Sequence, residues 1–254
     1  MSLIVRIDVD RPYGKEGFVR HAASRLSSDY FLPRMRWLRY LDELETILRI
    51  LNENEKSAYV FFRKCTYPTP KVCELMEEGG HQFGLHLENS RSEASFTEEL
   101  LSLQQELGRR VFAFSKHGSG HYHLGRHHYA PYEPDRYLPW GKRAGMKLFF
   151  GNLEDPQLRP TQDEGLLCFP SAFWLEPHWR DTARFPIEWL LREAAERDVV
   201  MLLHPDNVTA SPEIMSEFLI AIKSLKTVVL AEDCSAKVAG RQLEIAETGL
   251  PKRL

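Results

Sequence analysis

Cysteine is scarce in this chain, and no two cysteines form a CxxC pair. The four that are present are widely separated: Cys65, Cys73, Cys168 and Cys234. This spacing excludes a disulfide-stapled fold and a zinc site built from thiolates. We expect all four to be reduced thiols that serve the packing of the protein.

Long apolar runs are also missing, and the net charge of the chain is small. No run approaches the ~18 residues of a transmembrane helix, and the first residues lack the basic and apolar regions of a signal peptide. We therefore expect a cytoplasmic protein with no membrane insertion. The 33 Lys+Arg nearly balance the 36 Asp+Glu, for a net charge of -3. Without a broad basic surface, nucleic acid is not an expected partner.

What the chain does contain is a regular alternation of extended and helical patterns. We predict strands at 3–10, 58–64, 81–87, 111–117, 147–152, 166–175, 199–205 and 227–234, helices at 32–54, 68–79, 95–109 and 186–197, and a last long helix that begins at 211. A short helix is also expected within 132–146, and polar loops at 11–31 and 118–131. The alternation predicts an α/β fold with a parallel sheet, in one domain over 1–254 with a polar tail from about 236. Barrel and doubly wound sheet stay open at this point.

Polar residues follow most of the apolar strands. The carboxyl ends of parallel strands meet at one edge of a sheet, so these side chains are expected to converge there. They are Asp8 and Asp10 at the end of the first strand, Arg63 and Lys64 at the end of the second, His86 and Glu88 at the end of the third, Lys116 and His117 at the end of the fourth, and His204 at the end of the strand at 199–205.

Asp8 and Asp10 form an acidic pair on one face of the first strand. Residues two apart on a strand lie about 6–7 Å apart at Cα. Two carboxylates this close repel each other unless a cation or a shared proton intervenes, which indicates a site for a hard metal or a general base. An acidic turn or a helix-capping pair is the alternative.

The histidines admit two interpretations. His86 and His204 each close an apolar strand, where a neutral imidazole can bind a metal or carry a proton; each alone would as readily be a hydrogen-bonded structural residue. In the loop 118–131, His121 and His123 form an HxH pair that could bind a second metal. We favour a solvated loop there.

Three segments resemble the signature of one known family. They are IDVD at 7–10, GHQFGLH at 80–86 and LLH at 202–204. Their order and spacing are similar to those of the polysaccharide deacetylases, also called the NodB-homology domain or carbohydrate esterase family four. The resemblance spans residues 3 to about 234, and GHQFGLH is its most specific part.

The resemblance implies both a fold and a reaction. The fold would be a distorted (β/α)7 barrel, and the reaction would be the metal-dependent removal of an acetyl group from an N-acetylated sugar or glycan intermediate. Zinc would be the expected cofactor. The family's general base matches Asp8, its first metal histidine matches His86, and its general acid matches His204. Its metal aspartate falls on Val9, so Asp10 would replace it.

The chain departs from the family pattern at the second metal histidine, where it carries Ser90. A hydroxyl is a poor zinc ligand. His117 or Glu88 could complete the ligand set, and we favour His117 because it ends the neighbouring strand. Arg63, Lys64, Lys116 and Glu88 are candidate substrate-binding residues.

Two further functions stay open. One is a metal-free domain that binds a glycan or nucleotide sugar without catalysis, which Ser90 would explain. The other is a hydrolase of a non-sugar linear or cyclic amide. If the protein is cytoplasmic, we expect its substrate to be an intracellular N-acetyl sugar and not a cell-wall polymer. The sequence does not indicate an oligomeric state.

Overall fold

The computed structural model describes residues 2–10, 18–30, 41–118 and 120–230. Its strands are β1 (Leu3–Val9), β2 (Ala58–Phe62), β3 (Gln82–Leu87), β4 (Ala113–Lys116), β5 (Leu148–Leu153), β6 (Thr161–Asp163), β7 (Leu166–Ser171), β8 (Phe173–Trp174) and β9 (Val199–Leu203). Its helices are α1 (Phe18–Tyr30), α2 (Leu41–Glu53), α3 (Pro70–Glu78), α4 (Glu93–Leu107), α5 (Pro134–Arg143), α6 (Ile187–Glu196), α7 (Pro205–Ala210) and α8 (Pro212–Ser224). No helix in these ranges is both long and apolar enough to cross a bilayer.

All the strands belong to one curled sheet in the order β6-β7-β5-β4-β3-β2-β1-β9-β8. Every neighbouring pair is parallel except β6 and β7. The curl follows from the connection between β7 and β8, which lie near opposite ends of this order although Ala172 alone separates them in sequence. A flat sheet could not be crossed by one residue, so its two ends must approach each other.

The two faces of the sheet bury separate sets of side chains. On β1, Leu3, Val5, Ile7 and Val9 join the core beneath the helices. Ile4 belongs instead to a second cluster on the concave face, formed by side chains from all the strands except β3 and β6. The continuous apolar runs of the strands are therefore explained by burial on both faces, as parallel sheets require.

The sheet remains an open half-barrel, so the predicted (β/α)7 barrel is correct only in its mixed α/β class and its curl. Among the described residues no ladder joins β7 to β9. The reason is that β6 pairs with the outer edge of β7, where Thr161, Gln162 and Asp163 face Cys168, Leu167 and Leu166. With that edge occupied, the barrel cannot close through it.

Several boundaries differ from the sequence prediction. Helix α1 occupies a segment predicted as a polar loop. Its apolar residues do not mark its buried face, since Phe18 is 86% exposed whereas Ser24 is buried. The apolar pattern therefore did not indicate a helix there. Helix α4 begins at Glu93, two residues early, since the hydroxyl of Ser92 accepts a hydrogen bond from the Ser95 amide. Strand β6 and helix α7 were not predicted, because both are too short to show a period.

Some predictions lie partly or wholly outside the described residues. Of the helix predicted at 32–54, residues 41–53 are helical and 31–40 are outside the described ranges. Of the last predicted strand, Thr227 forms a single parallel bridge with Leu3, and 231–234 are outside. Cys234 and the predicted tail from 236 are outside as well. No disulfide joins the cysteines of the described part.

Gly84 is required by the close contact between β2 and β3. It lies opposite Phe61, and a Cβ at this position would fall 2.3 Å from two atoms of the phenylalanine ring. We expect Gly84→Ala to lower the free energy of unfolding by about 1–3 kcal/mol, the usual cost of overpacking. Urea titration measures the loss, and adding Phe61→Leu should recover part of it. Full stability of Gly84→Ala would contradict this packing.

Candidate active site

Three strand ends bring Asp10, His86 and His117 together. Asp10 follows β1, His86 lies in β3, and His117 follows β4. The β3–β4 register places Leu87 opposite Lys116, and the His117 amide donates to the Leu87 carbonyl at 2.8 Å. Because these strands are parallel, their carboxyl ends share one rim of the half-barrel, as the sequence pattern predicts.

The three side chains form a compact triangle of possible ligand atoms. His117 Nδ1 lies 3.1 Å from Asp10 Oδ1 and 3.1 Å from His86 Nε2, and His86 Nε2 lies 3.5 Å from Asp10 Oδ1. In a tetrahedral zinc site, bonds of 2.0–2.1 Å place neighbouring ligand atoms roughly 3.3 Å apart. The triangle therefore fits a tetrahedral zinc ion, and it is the one such group of His, Cys, Asp or Glu side chains within the described ranges.

The protonation of these groups also suits metal binding. Burial, reinforced by the nearby Arg63 guanidinium, holds the pKa of His117 well below its usual range, so its ring is neutral at pH 7. Burial alone would raise the pKa of Asp10, but His117 and His86 hold it well below its usual range. A carboxylate and a neutral imidazole are the forms that coordinate a cation.

His86 is oriented by its second ring nitrogen. Its Nδ1 lies 2.7 Å from the Ser115 hydroxyl, on the neighbouring residue of β4. This contact turns Nε2 toward the carboxylates, 3.5 Å from Asp10 and 3.6 Å from Asp8. A hydrogen bond to the outer nitrogen is the usual way in which a protein fixes a metal-binding imidazole.

Asp8 is held by an arginine that the sequence analysis missed. Arg6 donates from Nε and Nη2 to the two oxygens of Asp8, at 2.9 and 2.6 Å. The same guanidinium donates to the Gly151 carbonyl at 2.7 Å and to the Asn152 side chain at 2.8 Å. Arg6 is fully buried on the concave face. An arginine two residues before Asp8 on a buried strand was the signal available in the sequence.

His204 is paired with a second missed residue, Glu176. Its Nδ1 lies 2.9 Å from Glu176 Oε1, which also accepts the His204 amide, and its Nε2 lies 3.7 Å from Asp10 Oδ2. Burial alone would lower the pKa of His204, but the Glu176 carboxylate and its hydrogen bond raise it to about 10. His204 is therefore an imidazolium at neutral pH. Glu176 itself follows an apolar strand, so the signal used for the other residues applied to it too.

The four candidate substrate-binding residues lie outside the cavity wall. Arg63 and Glu88 are buried and contact each other through Nη2 and Oε1 at 2.5 Å. The buried Lys116 donates to the carbonyls of His117 and Tyr129, while Lys64 lies 3.7 Å from Glu98 near the surface. Their interaction with substrate stays a prediction.

A cavity of about 300 Å³ opens above the triangle. Among the described residues that line it are no lysine and no arginine; they are Asp8, Asp10, His86, His117, Gly118, Tyr122, Leu124, Asn152, Trp174, His178, Trp179, His204, Asp206 and Asn207. One wall is aromatic, with the rings of Trp174 and Trp179 5.9 Å apart. The size suits one ring-sized group, since ligand cavities range from about 300 to 1,000 Å³.

The loop after His117 supplies part of the cavity wall. His128 is buried at its base, where it accepts the Leu124 amide at Nδ1 and contacts the His117 carbonyl through Nε2 at 3.0 Å. It is therefore a structural residue. His121 and His123 are exposed and join no ligand group among the described residues.

Comparison with known proteins yields a weak structural likeness. No family model and no curated protein matches the chain. Among solved structures, the peptidoglycan deacetylase PdaC from Bacillus subtilis is 11% identical over 98% of this chain and 97% of its own, with a TM-score of 0.42. At this identity and score, neither the fold nor any residue role is transferred from one chain to the other.

Proposed function

We propose that this chain is a metal-dependent hydrolase that removes an acetyl group from an N-acetylated sugar or glycan intermediate. The observation that carries the proposal is the triangle of Asp10, His86 and His117, whose donor atoms lie 3.1–3.5 Å apart. Zinc is the ion we propose for it, since one carboxylate and two imidazoles with a free fourth position are typical of catalytic zinc. The sequence resemblance to the polysaccharide deacetylases supports the choice of an acetamide substrate.

The chemistry divides among the residues on the cavity wall. A bound zinc ion would polarise the amide carbonyl and lower the pKa of a coordinated water. Asp8 is the proton acceptor that we propose for that water. The Arg6 guanidinium holds the Asp8 carboxylate in place through two hydrogen bonds. His204, protonated and held by Glu176, is the proton donor for the leaving amine. The rings of Trp174 and Trp179 form one wall of the cavity beside these groups.

A second candidate function is a metal-free domain that binds a glycan or nucleotide sugar. One observation favours it: Arg63 Nη1 lies 3.3 Å from Asp10 Oδ1, so this carboxylate already has a buried cation beside it. Hydrolysis of a non-sugar amide would use the same triangle and proton donor with a different occupant of the cavity.

Metal analysis and product detection separate these functions. We expect protein purified without chelator to carry one zinc ion per chain and to release acetate from N-acetylated sugars, and both properties to be lost in Asp10→Ala. Asp155→Ala is the matched control, because Asp155 is a surface carboxylate whose neighbour is Arg184. If the wild type holds no stoichiometric metal and Asp10→Ala leaves glycan affinity unchanged, the metal-free function replaces our proposal. Ammonia release from a small amide panel without acetate release would indicate a non-sugar amide.

A further inference from the structure

Arg63 is a buried cation at the end of β2, a strand that contributes no ligand to the triangle. It directly follows β2, which lies between β1 and β3 in the sheet. Its side chain is completely buried. Burial of a guanidinium costs free energy unless carboxylates or carbonyl oxygens pair with it. A buried arginine at this position therefore indicates a specific role.

The guanidinium connects the triangle to a second carboxylate. Nη1 lies 3.3 Å from Asp10 Oδ1 and Nη2 lies 2.5 Å from Glu88 Oε1. Its backbone is fixed as well, because the Arg63 amide donates to the Thr66 hydroxyl, and that hydroxyl donates to the Val9 carbonyl at 2.8 Å. Arg63 is therefore anchored to the end of β1 by its backbone and to β3 by its side chain.

Asp10 depends on such an anchor because it lies beyond the end of its strand. The last paired residue of β1 is Val9, and the Asp10 amide turns back to the Asp8 carbonyl at 3.1 Å. Among the residues that the structure describes, no ladder hydrogen bond fixes Asp10. Its carboxylate must nevertheless direct Oδ1 to the two imidazoles and Oδ2 toward His204.

We propose that Arg63 is the positioning residue of Asp10, and that Glu88 is the counter-charge that holds the Arg63 guanidinium in place. The triangle would then exist before an ion binds, with Arg63 selecting the orientation of the carboxylate. The inference rests on the proposed function in so far as the triangle binds zinc.

The sign of the effect on zinc affinity distinguishes positioning from simple electrostatics. A guanidinium near a divalent cation repels it, so removal of the positive charge alone would tighten binding. Loss of a group that orients a ligand weakens binding, typically 10- to 100-fold. The two roles therefore predict opposite changes for the same substitution.

The experiment measures zinc affinity of the full-length chain by competition with a chelating dye. We expect Arg63→Gln to weaken binding about 10- to 100-fold, and Arg63→Lys to weaken it less because a point charge keeps one of the two contacts. Arg197→Gln is the matched control: this buried arginine is paired with Glu193, precedes β9 at the end opposite to His204, and should leave zinc affinity unchanged. Unchanged or tighter binding by Arg63→Gln would overturn the inference and leave the proposed function intact.

A second measurement needs no metal and covers the case in which the wild type binds none. In chelator-treated protein, urea midpoints are compared for Arg63→Gln, Asp10→Asn and the double variant. If Arg63 positions Asp10, the double variant loses less than the sum of the two single losses. Additive losses would refute the positioning role whether or not zinc binds, while absence of zinc from the wild type alone would refute the proposed function.

Discussion

His204→Ala is expected to lower kcat for acetate release by about 10²–10⁴-fold, the usual contribution of a general acid, while zinc binding persists. The reason is that His204 lines the cavity as an imidazolium and is not part of the ligand triangle. Steady-state kinetics together with metal analysis of the same sample measures the two properties. Loss of the metal in His204→Ala, or turnover at the wild-type rate, would contradict this assignment.

The companion variant Glu176→Gln tests the origin of the His204 charge. Glu176 is the main group that raises the pKa of His204, to about 10, against the opposing effect of burial, with Asp10 and Asp8 adding to it; its neutralisation should therefore lower that pKa. NMR titration of the His204 ring in the metal-free protein measures this shift. An unshifted pKa would show that Glu176 does not hold the proton in place.

The same shift has a consequence for stability, and its direction follows from linkage. The pKa of His204 is higher in the folded state, about 10, than its reference value of 6.5. The stabilisation from protonated His204 is therefore complete below pH 6.5 and is lost as the pH rises through 10. The difference in the free energy of unfolding between the wild type and Glu176→Gln should therefore decrease as the pH rises from 6.5 to 10.

Arg6→Met is expected to cause the largest loss of stability, about 3–5 kcal/mol, because it leaves the buried Asp8 carboxylate without its partner. In the structure the two residues share two hydrogen bonds within the barrel, where the Asp8 side chain is 3% exposed. Urea unfolding at neutral pH measures the loss.

The double variant Arg6→Met/Asp8→Leu controls for packing. Replacement of a whole buried ion pair by apolar residues is often neutral or stabilising, so this variant should regain most of the lost stability. If Arg6→Met alone unfolds at the wild-type urea concentration, Arg6 does not neutralise Asp8. A double variant no more stable than Arg6→Met would instead assign the loss to the packing of Arg6.

The alternation of the longer strands and helices and the rim of the site were predictable from local patterns. A polar residue at the end of an apolar strand is visible in sequence, and parallel strands direct such residues to one edge. That rule located Asp10, His86 and His117, which the structure brings within ligand distance. Their actual metal binding and the catalytic roles of Asp8 and His204 stay predictions until the experiments above are done.

The remaining features depend on pairings between distant parts of the chain. Arg6 contacts Gly151 and Asn152 only because the sheet curls, and nothing near Arg6 in sequence signals that contact. Closure of the barrel depends on which strand takes the outer edge of β7, and β6 is three residues long. The pairing of Glu176 with His204 likewise links two strand ends that are neighbours only after folding.

The ion-binding and proton-donating parts of the site come from separate stretches of the polypeptide. The proposed ligands and their anchors lie within residues 8–117, whereas Glu176, His204 and the aromatic wall of Trp174 and Trp179 lie beyond residue 173. The later stretch can therefore change toward another leaving group without altering the three proposed ligands. Substitutions in the stretch from β8 to α7 would thus be the natural route to altered substrate preference.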